Sequence, residues 1–149
     1  MLVHAPIACW LLTSFFDVLA ITTHADFFWQ VAALMAAIGV AAGALAAMAG
    51  AMDFSRAQIQ APRLVLTHAS LMSGAWLLAL VSLIGRVSAG YQAILPAPWW
   101  AVTAAAMVVL LMIVGAWCGG EMVYGRAIGV DRASSAGETS KVETNERKM

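Results

Sequence analysis

Four apolar runs, at residues 5–22, 27–52, 64–87 and 99–123, occupy most of this 149-residue chain. Each reaches roughly the 20 residues that a helix needs to cross about 30 Å of hydrocarbon. A backbone that enters lipid must satisfy its own N–H and C=O groups, so these runs are expected to be helices. Only 11% of the residues are charged and 62% are hydrophobic. A water-soluble domain of this composition would have too little polar surface to cover itself. The expected fold is an all-α integral membrane four-helix bundle of up-down topology, spanning residues 1–130. The remainder, 131–149, reads "DRASSAGETSKVETNERKM". It has almost nothing to bury and is expected to be a polar disordered tail.

The joints carry local signals. "THAD" at 23–26 has the form of a capping box, with Thr23 as N-cap and Asp26 three residues on. Pro62 suits the first turn of the third helix. The two tryptophans of "LPAPWW" at 95–100 suit a membrane–water interface before the fourth. The first run has no preceding Lys or Arg and is broken by Asp17, so it is expected to remain as a span rather than act as a signal peptide.

Orientation follows from the basic residues. Arg56, Arg63, Arg126, Arg132, Lys141, Arg147 and Lys148 fall on one side of the spans and Arg86 on the other. The positive-inside rule makes the first side cytoplasmic, with both termini there. No basic patch with interleaved aromatics points to nucleic acid. Cys9 and Cys118 lie inside apolar runs without metal or disulfide spacing and read as small packing residues.

This topology gathers polar groups into two layers. One holds His4, Asp53, His68, Glu121 and Tyr124; the other holds Asp17, His24, Asp26 and Arg86. An ionisable group inside a span costs at least about 2.5 kcal/mol, so such groups are usually paired or functional. Asp17 is expected to pair with Arg86 or with backbone donors. His24 reads as a loop surface residue. Asp53 and Glu121 each have an ordinary interfacial reading as well. His4 and His68 form a cross-bundle pair at similar depth. Gly39 and Gly43, continued by Ala47 and Gly50, and Gly115 with Gly119 allow close helix packing; the alternative is a smooth face for a flat cofactor.

Several fragments share one pattern: "LVHAPIACW" at the start, "GAMDF" at 50–54, "THAS" at 67–70 and "GGEMVYGRAIGV" at 119–130. In their order and their fall at helix ends they resemble a family of small bacterial membrane proteins, domain of unknown function 2231. The resemblance covers about residues 3–131. It implies a four-span fold in the bacterial inner membrane and a marked layer at His4, Asp53, His68, Glu121 and Tyr124, but no reaction.

Three functions remain open. The first is a small cytochrome b-like electron-transport subunit, with His4 and His68 as axial ligands of haem b and Asp53, Glu121 or Tyr124 orienting an imidazole. Such a protein needs a redox partner. The second is a non-enzymatic structural or accessory subunit. The third is a metal or proton site formed by the histidines with Asp53 and Glu121 in a transporter; four short spans leave little room for a pore in one chain, so this reading requires a homo-oligomer. No nucleophile–base pair, phosphate loop or dinucleotide fingerprint is present, so a self-sufficient enzyme is the least expected reading.

Overall fold

The computed structural model describes residues 3–56, 62–89 and 99–125, with the backbone alone at 53–56 and 62. The tail expected at 131–149 lies outside them. Four α-helices account for nearly all of the described chain: α1 (His4–Thr23), α2 (Asp26–Arg56), α3 (Pro62–Ser88) and α4 (Trp99–Gly120). A π-helical turn, Glu121–Gly125, continues α4. All four α-helices are long and apolar enough to cross a membrane. At 31 residues, α2 is about 46 Å long. That exceeds the hydrocarbon thickness, so tilt or protrusion takes up the surplus.

Pro6 sits in the first turn of α1, where its missing N–H forfeits no intrahelical bond. α3 opens on Pro62 for the same reason. The α1–α2 joint differs from the capping-box expectation. Thr23 is the last residue of α1, and its hydroxyl donates back to the Leu19 carbonyl at 2.7 Å. His24 then turns left-handed, at φ 55°, and ends the helix; α2 starts at Asp26. Thr23 is still helical within α1, and two residues separate it from the first residue of α2, so it is not the N-cap of that helix.

The helices run antiparallel in ring order. Phe16 of α1 stacks on Phe28 of α2 at 6.1 Å. Gly85 of α3 lies against Trp100 of α4, and His68 against Gly119 at the far end of the same pair. α1 packs closely on α2, and α3 on α4, whereas the contacts of α2 with α3 and of α1 with α4 are sparser. The bundle is thus two tight hairpins meeting along a looser seam, with α1 and α3 across the diagonal.

The distribution of side chains suits lipid. Among the described residues, nine of the fourteen buried hydrophobic ones are alanines, including Ala32, Ala33, Ala36, Ala75 and Ala105, which lets backbones approach closely. Many of the large apolar residues face outward instead: Phe15, Leu45, Leu77, Leu110 and Ile113 are all exposed. In water this arrangement would forfeit most of the hydrophobic effect; in a bilayer it costs nothing.

Candidate functional site

Two polar layers sit at opposite ends of this frame. At the end holding the close of α1 and the start of α4, Arg86 and Asp17 form a bidentate ion pair across the seam. Arg86 Nη1 donates to Asp17 Oδ1 at 2.8 Å and Nη2 to Oδ2 at 2.5 Å. Both side chains are almost completely buried, at 0% and 2% exposure. Arg86 Nε donates to Ser82 Oγ at 3.3 Å, and Ser82 Oγ donates to the Ala101 carbonyl at 2.8 Å. The guanidinium also lies 4.5 Å from the centre of the Trp29 ring, a cation–π contact strengthened by desolvation. One arginine therefore touches α1, α2 and, through Ser82, α4. Ser82 was detectable in the sequence as the residue four before Arg86, on the same helix face. Trp29 carried no such signal. Among the described residues, the buried atoms Asp26 Oδ1, Trp29 Nε1 and Trp10 Nε1 have no hydrogen-bond partner.

Mid-bundle, two indoles rest on α2. A β-carbon on Gly39 would lie 2.5 Å from Trp10 Nε1; one on Gly43 would lie 2.8 Å from Trp76 Cδ1 and 3.1 Å from Trp10 Cζ2. Trp76 Nε1 donates to the Val40 carbonyl at 2.9 Å, bridging α3 to α2. Gly39 and Gly43 therefore accommodate tryptophans from α1 and α3. At this height the glycine face is filled by the protein's own rings.

The other end is built differently. In α1 before Trp10, α2 after Gly43, α3 before Ala75 and α4 after Met112, the buried residues are Pro6, Gly115 and Cys118 alone among the described side chains. Gly50 and Gly120 would meet nothing within 4 Å if given a β-carbon. His68 is half-buried here, and its Nδ1 lies 2.8 Å from the Gly115 carbonyl. A carbonyl only accepts, so Nδ1 carries the hydrogen; a neutral imidazole with that tautomer has its lone pair at Nε2. Gly119 lies one turn further on, where a β-carbon would come within 3.2 Å of His68 Cε1. The α4 glycines thus seat the imidazole: one offers its carbonyl, the other its missing side chain.

His4 occupies the exposed first turn of α1. Trp10 and Trp76 mark a common height on α2, and the histidines precede them by six and eight residues. At 1.5 Å per residue they lie about 9 and 12 Å beyond the tryptophans, level to within about 3 Å. Glu121 and Tyr124 belong to the π-turn, where both are exposed and Tyr124 is 92% so. The side chain of Asp53 lies outside the described residues. At His68 the orienting partner is the Gly115 carbonyl, not an acid or a phenol. His24 is exposed in its turn. No cluster of three or more His, Cys, Asp or Glu able to hold a metal ion occurs among the described residues.

Of this layer, His68 could offer its ring to a flat group, being seated on Gly115 and Gly119; His4, at a similar height on α1, lies in that helix's exposed first turn. Fold, side-chain distribution and polar layers together define a four-span helical membrane protein. A family model described as "Predicted membrane protein (DUF2231)" matches residues 1–132, and the chain belongs to that family. Searches of curated proteins and of solved structures gave no match.

Proposed function

We propose that this protein is a small b-type haem-binding electron-transfer subunit of the bacterial inner membrane. The observation that carries the reading is the His68 seat: an imidazole held by the Gly115 carbonyl, with Nε2 left to ligate; His4 lies at a similar height on the diagonal helix. Adjacent helix axes in a bundle are about 8–10 Å apart, so the diagonal is about 11–14 Å. That is a width suited to two imidazoles flanking one iron. When bound, the haem supplies a one-electron centre. The chain's own residues bind it through His4 and His68, fix the His68 ring through Gly115, and roof the site with the Trp10 and Trp76 indoles. Passing single electrons requires a redox partner protein.

The test is an absorption spectrum of protein expressed with ample haem. A Soret band with sharp low-spin visible bands on reduction is expected. His4→Ala or His68→Ala should abolish or shift them, and His24→Ala should not. Absence of a Soret band overturns the reading.

A second reading, a structural or accessory subunit without cofactor, is favoured by one specific observation: the Gly39–Gly43 face is filled by Trp10 and Trp76, so the glycine pattern is explained by packing alone. The same spectrum separates the two.

By the positive-inside rule both termini lie in the cytoplasm and the 88–98 loop outside. Reporter fusions at Met149 and within 88–97 should report opposite compartments; an active periplasmic reporter at Met149 would overturn that orientation.

A further inference from the structure

Eight serine and threonine hydroxyls of the described chain donate to a backbone carbonyl, most of them four residues back on their own helix. Ser70 and Ser73 of α3 do not. Both are exposed, and neither has a hydrogen-bond partner among the described residues. They are also the polar residues nearest the middle of that helix. Its midpoint is residue 75, so Ser73 lies about 3 Å and Ser70 about 7.5 Å from it along the axis. No water reaches such a depth in a bilayer, so a hydroxyl there finds its partner in protein or pays for the lack.

We infer that this face of α3 packs against the same face of a second copy of the chain, as a two-fold homodimer within the membrane. The face looks away from the bundle. At about 100° per residue, Ser73 lies roughly opposite Ala75, Ala79 and Ser82, which are buried. Only 11% of the apolar stretch of α3 is buried within the protein, against 28%, 28% and 39% for the other three spans. Leu66, Leu77 and Ile84 flank the serines on the outward side, each more than half exposed. Ala69 is four residues before Ser73 and Gly74 four after Ser70, a spacing of small residues that lets another backbone come close enough for short side chains to meet.

The chemistry of the face identifies its occupant. Between Leu66 and Ile84 the outward residues carry no charge, so nothing there selects a charged partner. What the face offers is two hydroxyls, each both donor and acceptor. Copies of one chain enter the membrane the same way round. A two-fold axis along the membrane normal then sets each residue against its own counterpart at equal depth. A second copy therefore brings the missing groups to the required height: a serine of one copy donates to a serine of the other. The outward hydroxyls of Thr22 on α1 and Thr103 on α4 make no such demand, because their own helices already accept from them.

The experiment uses full-length protein in lipid bilayers, half carrying a donor and half an acceptor fluorophore at the C-terminus. Energy transfer is expected, and excess unlabelled protein should abolish it. Ser70→Ala with Ser73→Ala should weaken association about three- to tenfold, the effect of losing one or two hydrogen bonds between membrane helices. Thr103→Val should leave it unchanged. Ser73→Cys, treated with Cu(II)-phenanthroline, should give a disulfide-linked dimer of the chain. Leu110→Cys, on the outward face of α4, should not, nor should the native protein, which has only Cys9 and Cys118. A native protein that stays monomeric at every protein-to-lipid ratio overturns the inference. So does association indifferent to the two serines, cross-linking at Leu110→Cys equal to that at Ser73→Cys, or Ser73→Cys linked in native membranes to a different chain in place of its own copy.

Discussion

Asp17→Asn or Arg86→Gln, each alone, is expected to destabilise the protein by about 3–5 kcal/mol, the range for removing one partner of a buried ion pair. The cost is high because the survivor has no water to turn to. Arg86 is wholly buried, with Ser82 and Trp29 as its other neighbours. Asp17 would lose both of its charge-assisted donors and be left in a site that penalises a lone carboxylate. The double variant should cost clearly less than the sum of the singles, because it leaves neither charge stranded. Thermal unfolding in one detergent, for the native protein and all three variants, measures this. Strict additivity would mean that the two side chains do not stabilise one another.

The second large effect separates two glycines on one helix. Gly39→Ala puts a methyl group into the Trp10 indole, itself buried and wedged against Gly43. Overpacking of this kind costs about 1–3 kcal/mol. Gly50→Ala meets nothing and removes a helix-weakening residue, with a gain approaching ~1 kcal/mol. Opposite signs at positions eleven residues apart on one face are what the two surroundings require. Equal shifts in melting temperature would show that the tryptophans do not rest on α2.

The spans were legible because length and apolarity are all that a bilayer asks of a helix. Their ends were less so. "THAD" reads locally as the start of α2, yet Thr23 closes α1, since its hydroxyl reaches a carbonyl already four residues behind it. Local patterns cannot say which of two neighbouring helices will claim a side chain. Depth put Arg86 within reach of Asp17 as one of two kinds of partner, backbone donors being the other, because a charge in lipid must be compensated; the structure shows the pair. Trp29 stayed hidden, since an indole in an apolar run looks like any other anchor. The glycine stripe of α2 showed a smooth face but not what lies on it; Trp10 and Trp76 come from two other helices. At the histidine end, sequence named His4 and His68, while the Gly115 carbonyl that fixes the His68 tautomer is a backbone atom that no motif displays.

The alanine-lined interior has one more consequence. Alanine loses almost no rotamer entropy when it is buried, so the helices associate without freezing side chains. For the same reason such a surface offers few distinctive knobs, and two helices could slide by a residue with little change in fit. What sets the vernier is a handful of unlike contacts: the fork of Arg86 on Asp17, Trp76 on the Val40 carbonyl, and Ser14 on the Ala105 carbonyl. All three cross between hairpins, and all lie away from the histidine end. The two halves of the molecule are therefore indexed at one end and through the middle, and the height of His68 relative to α1 is inherited from those distant marks.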